Sequence, residues 1–275
     1  MGNVWDAMKK HEQEPGQPEK PAIPSADRKA GITPPSAAPS VPPQREAVVV
    51  GAKDYSPVLV VHHDRGGKLS EQYRRLRTNL MARSPQGCLC LAITSAEPGE
   101  GKTVTCLNFS LVLEELPGIR VVVIDGDMRK GSLSELLQTE KTPGLAEVLR
   151  GSHSLEEAIH PTFYPNLDVI PCGEANKTEL GTLLGAFPKS GVVSQLRKQY
   201  DCILIDTPAV GVISDACILA HEMGESLLVV KMHKTNLVSV ERAVGLLKAA
   251  DVKILGMFLT HQTEYVPTYF SKYYY

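Results

Sequence analysis

The sequence predicts a doubly wound α/β fold: a mainly parallel sheet with helices on both faces. Three observations point there. From Cys88 onward, short apolar runs alternate with helical patterns, the signature of strands joined by crossover helices. The apolar runs are nearly unbroken, as expected of strands covered on both sides. Two of them, Val121–Asp125 and Ile203–Asp206, end on an aspartate, at the carboxyl edge where open parallel sheets bind ligands.

The elements follow in order. Residues 12–46 hold nine of the twenty prolines among Ala, Ser, Glu and Gln; too little apolar surface is present to offset ordering entropy, so residues 1–46 read as a disordered tether. The stretch VWDAMKK at its head reads as a frayed terminus, with a small docking helix as the alternative. Ala47–Val61, apolar but broken by Gly51 and Pro57, suggests a short strand or extended arm. In KLSEQYRRLRTNLMARS, Leu69, Tyr73, Leu76 and Leu80 recur at helical spacing, predicting an amphipathic helix over 69–82. Glu71, Arg74 and Arg77 share another stripe of it. Strands are expected at Leu89–Thr94, Val121–Asp125, Leu167–Pro171, Ile203–Asp206, Leu227–Lys231 and Ile254–Leu259. Helices are expected at Lys102–Glu115, Gly144–Arg150, Leu155–Ile159, Val192–Lys198, Ser214–His221 and Leu237–Ala250. The domain would run over 47–264, leaving 265–275 as a tail.

Composition narrows the classes. A net charge of −2 gives no global pull toward nucleic acid, and none is expected as a partner. No apolar run approaches the ~20 residues that span a bilayer, and MGNVWDAMKKHEQE lacks the apolar core of a secretory signal. The residues after Gly2 do not fit a myristoylation site. Six cysteines are scattered without a Cys-x-x-Cys pair and read as reduced core thiols, which suits the cytoplasm.

The run Ser95-Ala96-Glu97-Pro98-Gly99-Glu100-Gly101-Lys102-Thr103 follows one expected strand and opens one expected helix. That context identifies a phosphate-binding loop and types the fold as that of a P-loop NTPase. Pro98, Gly99, Glu100, Gly101, Lys102, Thr103 and Val104 would surround the phosphates of ATP, with backbone amides and the helix dipole aimed at them. Lys102 should reach the β- and γ-phosphates, and the Thr103 hydroxyl should join a Mg²⁺ shell. Asp125 and Asp127 close one strand and Asp206 another, so with Thr103 they form the candidate metal and catalytic cluster. Arg129 could orient the acidic pair or form an ordinary surface ion pair.

SAEPGEGKT, DGDMR and ILIDTP together resemble the three nucleotide motifs of bacterial tyrosine kinases, the P-loop enzymes of capsule and exopolysaccharide synthesis. The resemblance spans roughly Leu69 to Tyr275. It identifies EQYRRLRTN with the family's oligomerisation helix, with Glu71, Arg74 and Arg77 at its Glu-x₂-Arg-x₂-Arg positions. Tyr265, Tyr269, Tyr273, Tyr274 and Tyr275, five of the nine tyrosines, match its autophosphorylation cluster. The resemblance implies an ATP-dependent protein-tyrosine kinase with Lys102, Asp125 and Asp127 catalytic. Asp125 would be the base, and Asp127 and Asp206 would hold the metal. It also implies a homo-oligomeric ring presenting each tail in trans, and a separate membrane-anchored activator that brings the protein to the inner face of the membrane. The run DMRKGSL departs from the family, which has a proline after the basic pair.

The partitioning ATPases of the MinD and ParA type share the fold and are the alternative, as nucleotide-switched scaffolds. Their signature lysine falls at Glu97 here, and they offer no reason for the tyrosine tail.

Overall fold

A computed structural model describes residues 55–83, 87–213 and 215–261. The expectations for residues 1–46 and for the tail tyrosines lie outside these residues. The chain divides at Arg45/Glu46, and everything described belongs to the second unit.

Among the described residues, seven strands form one sheet: β1 Leu89–Ser95, β2 Val121–Asp125, β3 His160–Pro161, β4 Leu167–Ile170, β5 Cys202–Asp206, β6 Glu225–Lys231 and β7 Lys253–Thr260. Their spatial order is β3-β4-β2-β5-β1-β6-β7. Every pairing is parallel except the short β3 edge, which runs antiparallel to β4. All six expected strands are present; β3, two residues long, is the addition.

The unbroken apolarity of the strands has the predicted cause. Alternate residues feed two separate cores. Leu89, Leu91, Ile93, Val121, Val123 and Leu204 belong to one, whereas Ala92, Val122, Ile124, Ile203 and Ile205 belong to the other. The first core is closed by α1 Val60–His63, α2 Lys68–Met81, α3 Lys102–Glu114 and α4 Ser132–Leu137. The second is closed by α5 Leu145–Arg150, α6 Leu180–Ala186, α7 Val192–Leu196, α8 Asp215–Met223 and α9 Leu237–Ala249. Helix α3 is buried continuously from Thr105 to Leu113, as a helix must be when apolar around its circumference.

Several expectations are corrected. Leu155–Ile159 is a hydrogen-bonded turn rather than a helix; five residues ahead of Pro161 give too few bonds to repay nucleation. The described part of Ala47–Val61 is neither strand nor arm: residues 55–59 turn into the single-turn helix α1. Leu69 does not join the apolar stripe of α2, being 57% exposed while Tyr73 and Leu80 are buried. Of the cysteines, Cys90, Cys106, Cys172 and Cys202 are buried thiols, but Cys88 and Cys217 are partly exposed.

Candidate nucleotide and phosphoryl-transfer site

Strand order builds the site. β5 lies between β2 and β1, and Asp125 pairs in register with Asp206 while Ile93 of β1 also pairs with Asp206. The two strand-end aspartates and the loop leaving β1 therefore meet at one level of the carboxyl edge. Gly126 permits the closeness: a Cβ there would lie 2.8 Å from the Asp206 carbonyl oxygen and 2.7 Å from Leu219.

The P-loop turns from β1 into α3 through Gly99 and Gly101, whose φ angles of +80° and +92° are costly for any residue with a Cβ. Glu100 shapes the turn from inside. It is 2% exposed, and its carboxylate accepts from the Glu97 amide at 2.7 Å, the Lys231 amide at 3.1 Å and the Thr235 hydroxyl. Glu97 accepts from the Ser239 hydroxyl at 2.7 Å, and the Thr260 hydroxyl donates to the Glu100 carbonyl at 2.8 Å. The loop is thereby tied to the segments that follow β6 and to the end of β7.

Thr103 Oγ1 donates to Asp206 Oδ2 at 2.6 Å. Lys102 Nζ stands 3.3 Å from Asp127 Oδ2 and 3.8 Å from Asp206 Oδ2. Burial alone would lower the Lys102 pKa, but the charges of Asp206, Asp127 and Asp125 outweigh it and leave the pKa raised. Asp125 is fully buried; its Oδ1 accepts from the Asp127 amide at 3.1 Å and its Oδ2 from the Leu133 amide at 3.2 Å. Burial, followed by the neighbouring Asp206 charge, pushes its carboxyl up to about 8 despite those amides. Burial also pushes Asp206 up, to about 6, against the opposing effects of Lys102 and Thr103.

These residues fit a magnesium ion. Asp206 Oδ1 is buried without a hydrogen-bond partner, an arrangement costly unless a cation or water completes it. Among the described residues, no three acidic, histidine or cysteine side chains converge into a ready cage. Mg²⁺ does not need one, since it usually takes one or two carboxylates and completes its shell with water and phosphate. Thr103, Asp127 and Asp206 have the required hard oxygens; both oxygens of Asp125 are already engaged.

The stripe Glu71, Arg74 and Arg77 divides. Arg74 makes a two-pronged contact with Glu115, from Nε at 2.9 Å and Nη2 at 2.7 Å. Arg77 reaches the same carboxylate at 3.1 Å and also donates to the Val112 carbonyl. Glu71 is 54% exposed along its side chain and lies 3.6 Å from Arg74. Arg129 pairs with Asp215 at 2.8 Å rather than with the acidic pair. Glu115 was missed from sequence, and no local signal marks it: it meets Arg74 from 41 positions away.

Residues 89–248 match the family model of an AAA domain. The chain is 35% identical over 191 residues to the putative tyrosine-protein kinase EpsB of Ralstonia nicotianae, across 68% of this chain and 25% of that protein. It thus spans about a quarter of that relative's length. It is 32% identical over 191 residues to the tyrosine-protein kinase YwqD of Bacillus subtilis, across 69% of this chain and 80% of that one. Among solved structures, the kinase domain of the Escherichia coli tyrosine kinase ETK is similar, with a TM-score of 0.69 and 27% identity over 76% of this chain and 83% of that one. The septum site-determining protein MinD from Pyrococcus horikoshii, complexed with Mg-ADP, gives a TM-score of 0.55 and 31% identity over 63% and 71%. With its P-loop, its paired strand-end aspartates and this set of relatives, the chain belongs to the bacterial tyrosine-protein kinase family.

Proposed function

We propose that this chain is an ATP-dependent protein-tyrosine kinase whose acceptors are Tyr265, Tyr269, Tyr273, Tyr274 and Tyr275 of its own tail. The observation that carries this reading is the single cluster of Lys102, Thr103, Asp127 and Asp206 at the mouth of the P-loop. In the transfer, a bond forms between the tyrosine oxygen and the γ-phosphorus, the β–γ bridging bond breaks, ADP departs and the phenolic proton is released. Such chemistry asks the protein chiefly for alignment and charge stabilisation. The loop amides and Lys102 hold the triphosphate and offset negative charge at the bridge. Mg²⁺, when bound by Thr103, Asp127 and Asp206, neutralises charge on the phosphates.

Asp125 serves as the proton acceptor. Burial pushes its carboxyl up to about 8, so it must be in its ionised form to take the proton from a phenol of pKa ~10, a form that the charge of bound Mg²⁺ would favour. Both of its oxygens hold backbone amides, so taking the proton requires one of these bonds to open, and with it part of the 127–133 loop.

The family resemblance supports a ring in which Glu71 of one copy contacts the next and each tail is modified in trans. It also supports activation by a separate membrane-anchored protein of polysaccharide synthesis or export, with the chain held at the inner face of the membrane. The likeness to MinD favours a second reading, a nucleotide-switched scaffold that passes phosphate only to water. Glu97, bonded to Ser239 where those ATPases carry a lysine, favours the kinase. Incubation with γ-labelled ATP distinguishes the two. The kinase reading expects alkali-stable label on the protein, lost when the five tail tyrosines become phenylalanine. Release of free phosphate with an unlabelled chain refutes it.

A further inference from the structure

An apolar pocket of about 420 Å³ lies beside the P-loop, between the start of α2, the start of α3 and the end of β7. Val58 and Val60 from the segment ahead of α2, with Leu69, Tyr73, Phe258 and Leu259, are among its apolar walls, and Gly101 reaches it from the loop. None of its described lining residues is Lys, Arg, Asp or Glu. Leu69 is 57% exposed here and Leu259 47%, so a partly uncovered apolar wall stands next to the nucleotide site. Exposed apolar surface of this kind marks a place where something binds.

The occupant is indicated by where the chain goes. His261 lines the pocket and is the last described residue. It follows Thr260, whose hydroxyl is bonded to the P-loop carbonyl of Glu100, and its φ of +56° turns the chain out of the strand direction. The next residues are Gln-Thr-Glu-Tyr-Val-Pro-Thr-Tyr-Phe, with Tyr265 four positions on and Phe270 nine. Four residues extend to about 13–14 Å and nine to about 30 Å, enough to fold back over the pocket. The other chain segment nearby, 55–63, already supplies Val58 and Val60 to the walls; its upstream end is anchored at Tyr55, buried against His62 and Tyr164, and none of these three lines the pocket. A tethered segment also has an effective concentration in the millimolar range, ahead of any separate copy.

We propose that this pocket is a resting site for the chain's own tail, which docks the apolar side chains of Tyr265–Phe270 in cis while unphosphorylated. A phosphate adds about two negative charges, and the described lining offers no Lys or Arg to meet them, only His261, so a phosphorylated tail is not retained. Docking sets the tail against the P-loop wall, and modification would release it. The release half rests on the kinase reading; the docking half does not.

The test uses the full chain with benzoylphenylalanine replacing the exposed Leu69, irradiated without ATP as a mixture of ¹⁴N- and ¹⁵N-labelled protein. The expected result is a cross-link from position 69 to a peptide within 262–270 of the same isotope. Adding Leu259→Glu, at an exposed wall position, should reduce the yield at least tenfold, as should Tyr265→Glu with Tyr269→Glu. A cross-link to residues 1–54, to the oppositely labelled chain, or to nothing overturns tail docking in cis. Retention of the cross-link in the double tyrosine variant overturns release by charge. Since no ATP is present, these outcomes are separate from any failure of kinase activity.

Discussion

Thr103 and Asp206, on the first turn of α3 and the last residue of β5, are joined by a 2.6 Å hydrogen bond from hydroxyl to carboxylate. The bond leaves the other Asp206 oxygen buried and without a partner. One contact therefore links the phosphate-binding helix to the acidic edge of the sheet and leaves an oxygen suited to a cation.

Asp206→Asn separates metal binding from folding. It removes a charge whose burial raises its pKa to about 6, and Lys102 keeps Asp127 as its nearer partner, so the metal-free chain should stay close to the parent in stability. Stabilisation by Mg²⁺-ATP, read as the rise in melting temperature, should largely disappear. A variant that unfolds without metal but still gains normally from Mg²⁺-ATP would contradict the assignment.

Asp125 predicts a pH dependence. Its folded-state pKa is raised, to about 8, so the folded chain binds the proton more tightly than the unfolded one. The associated stability is complete below the ordinary carboxylate pKa of ~3.9 and is lost as pH climbs through about 8. Asp206, raised to about 6, acts in the same sense. The metal-free melting temperature should fall from pH 5 to pH 8.5, and Asp125→Asn should flatten that slope. An unchanged slope would show that Asp125 is not the group responsible.

Glu115 and Glu71 should separate folding from assembly. Glu115→Ala removes the shared carboxylate from two partly buried guanidinium groups, leaving Arg74 with Glu71 and Arg77 with the Val112 carbonyl, and should cost about 1 kcal/mol by thermal or urea unfolding. Glu71→Ala touches an exposed side chain and should stay within about 0.5 kcal/mol of the parent, while light scattering shows a smaller assembly. An unchanged mass for Glu71→Ala would remove this residue from the ring contact.

Glu100 holds the P-loop through three acceptor contacts. Glu100→Ala should weaken Mg²⁺-ATP binding by about 10- to 100-fold, corresponding to roughly 1.4–2.8 kcal/mol, with Glu100→Gln intermediate because one oxygen still accepts. Calorimetric titration measures both. Equal affinities in all three proteins would mean the loop keeps its shape unaided.

The parts of the fold legible in sequence are those written in contiguous residues. The P-loop, the strand-end aspartates and the double-faced strands each declare themselves within a short window. Helix α6 went unread because Gly181 and Gly185 are poor helix formers, and burial of Leu180, Leu183 and Leu184 overrides them. The turn at 155–158 imitates a helix in sequence because Leu155, Ala158 and Ile159 are apolar for burial, not for periodicity. Within the site, the role of Glu100 depends on Lys231 and Thr235, more than a hundred residues away. Arginines on α2 look equally available from sequence; only the position of Glu115 shows that Arg74 and Arg77 are engaged within the chain and that Glu71 faces outward.

The most direct test is tandem mass spectrometry of the C-terminal peptide after incubation with Mg²⁺ and ATP, beside a Lys102→Ala control. Phosphate is expected on tyrosines among Tyr265–Tyr275 in the parent protein and on none in the control. An unmodified tail in the parent, with ATP nonetheless hydrolysed to free phosphate, would contradict the kinase reading and leave a nucleotide switch in its place.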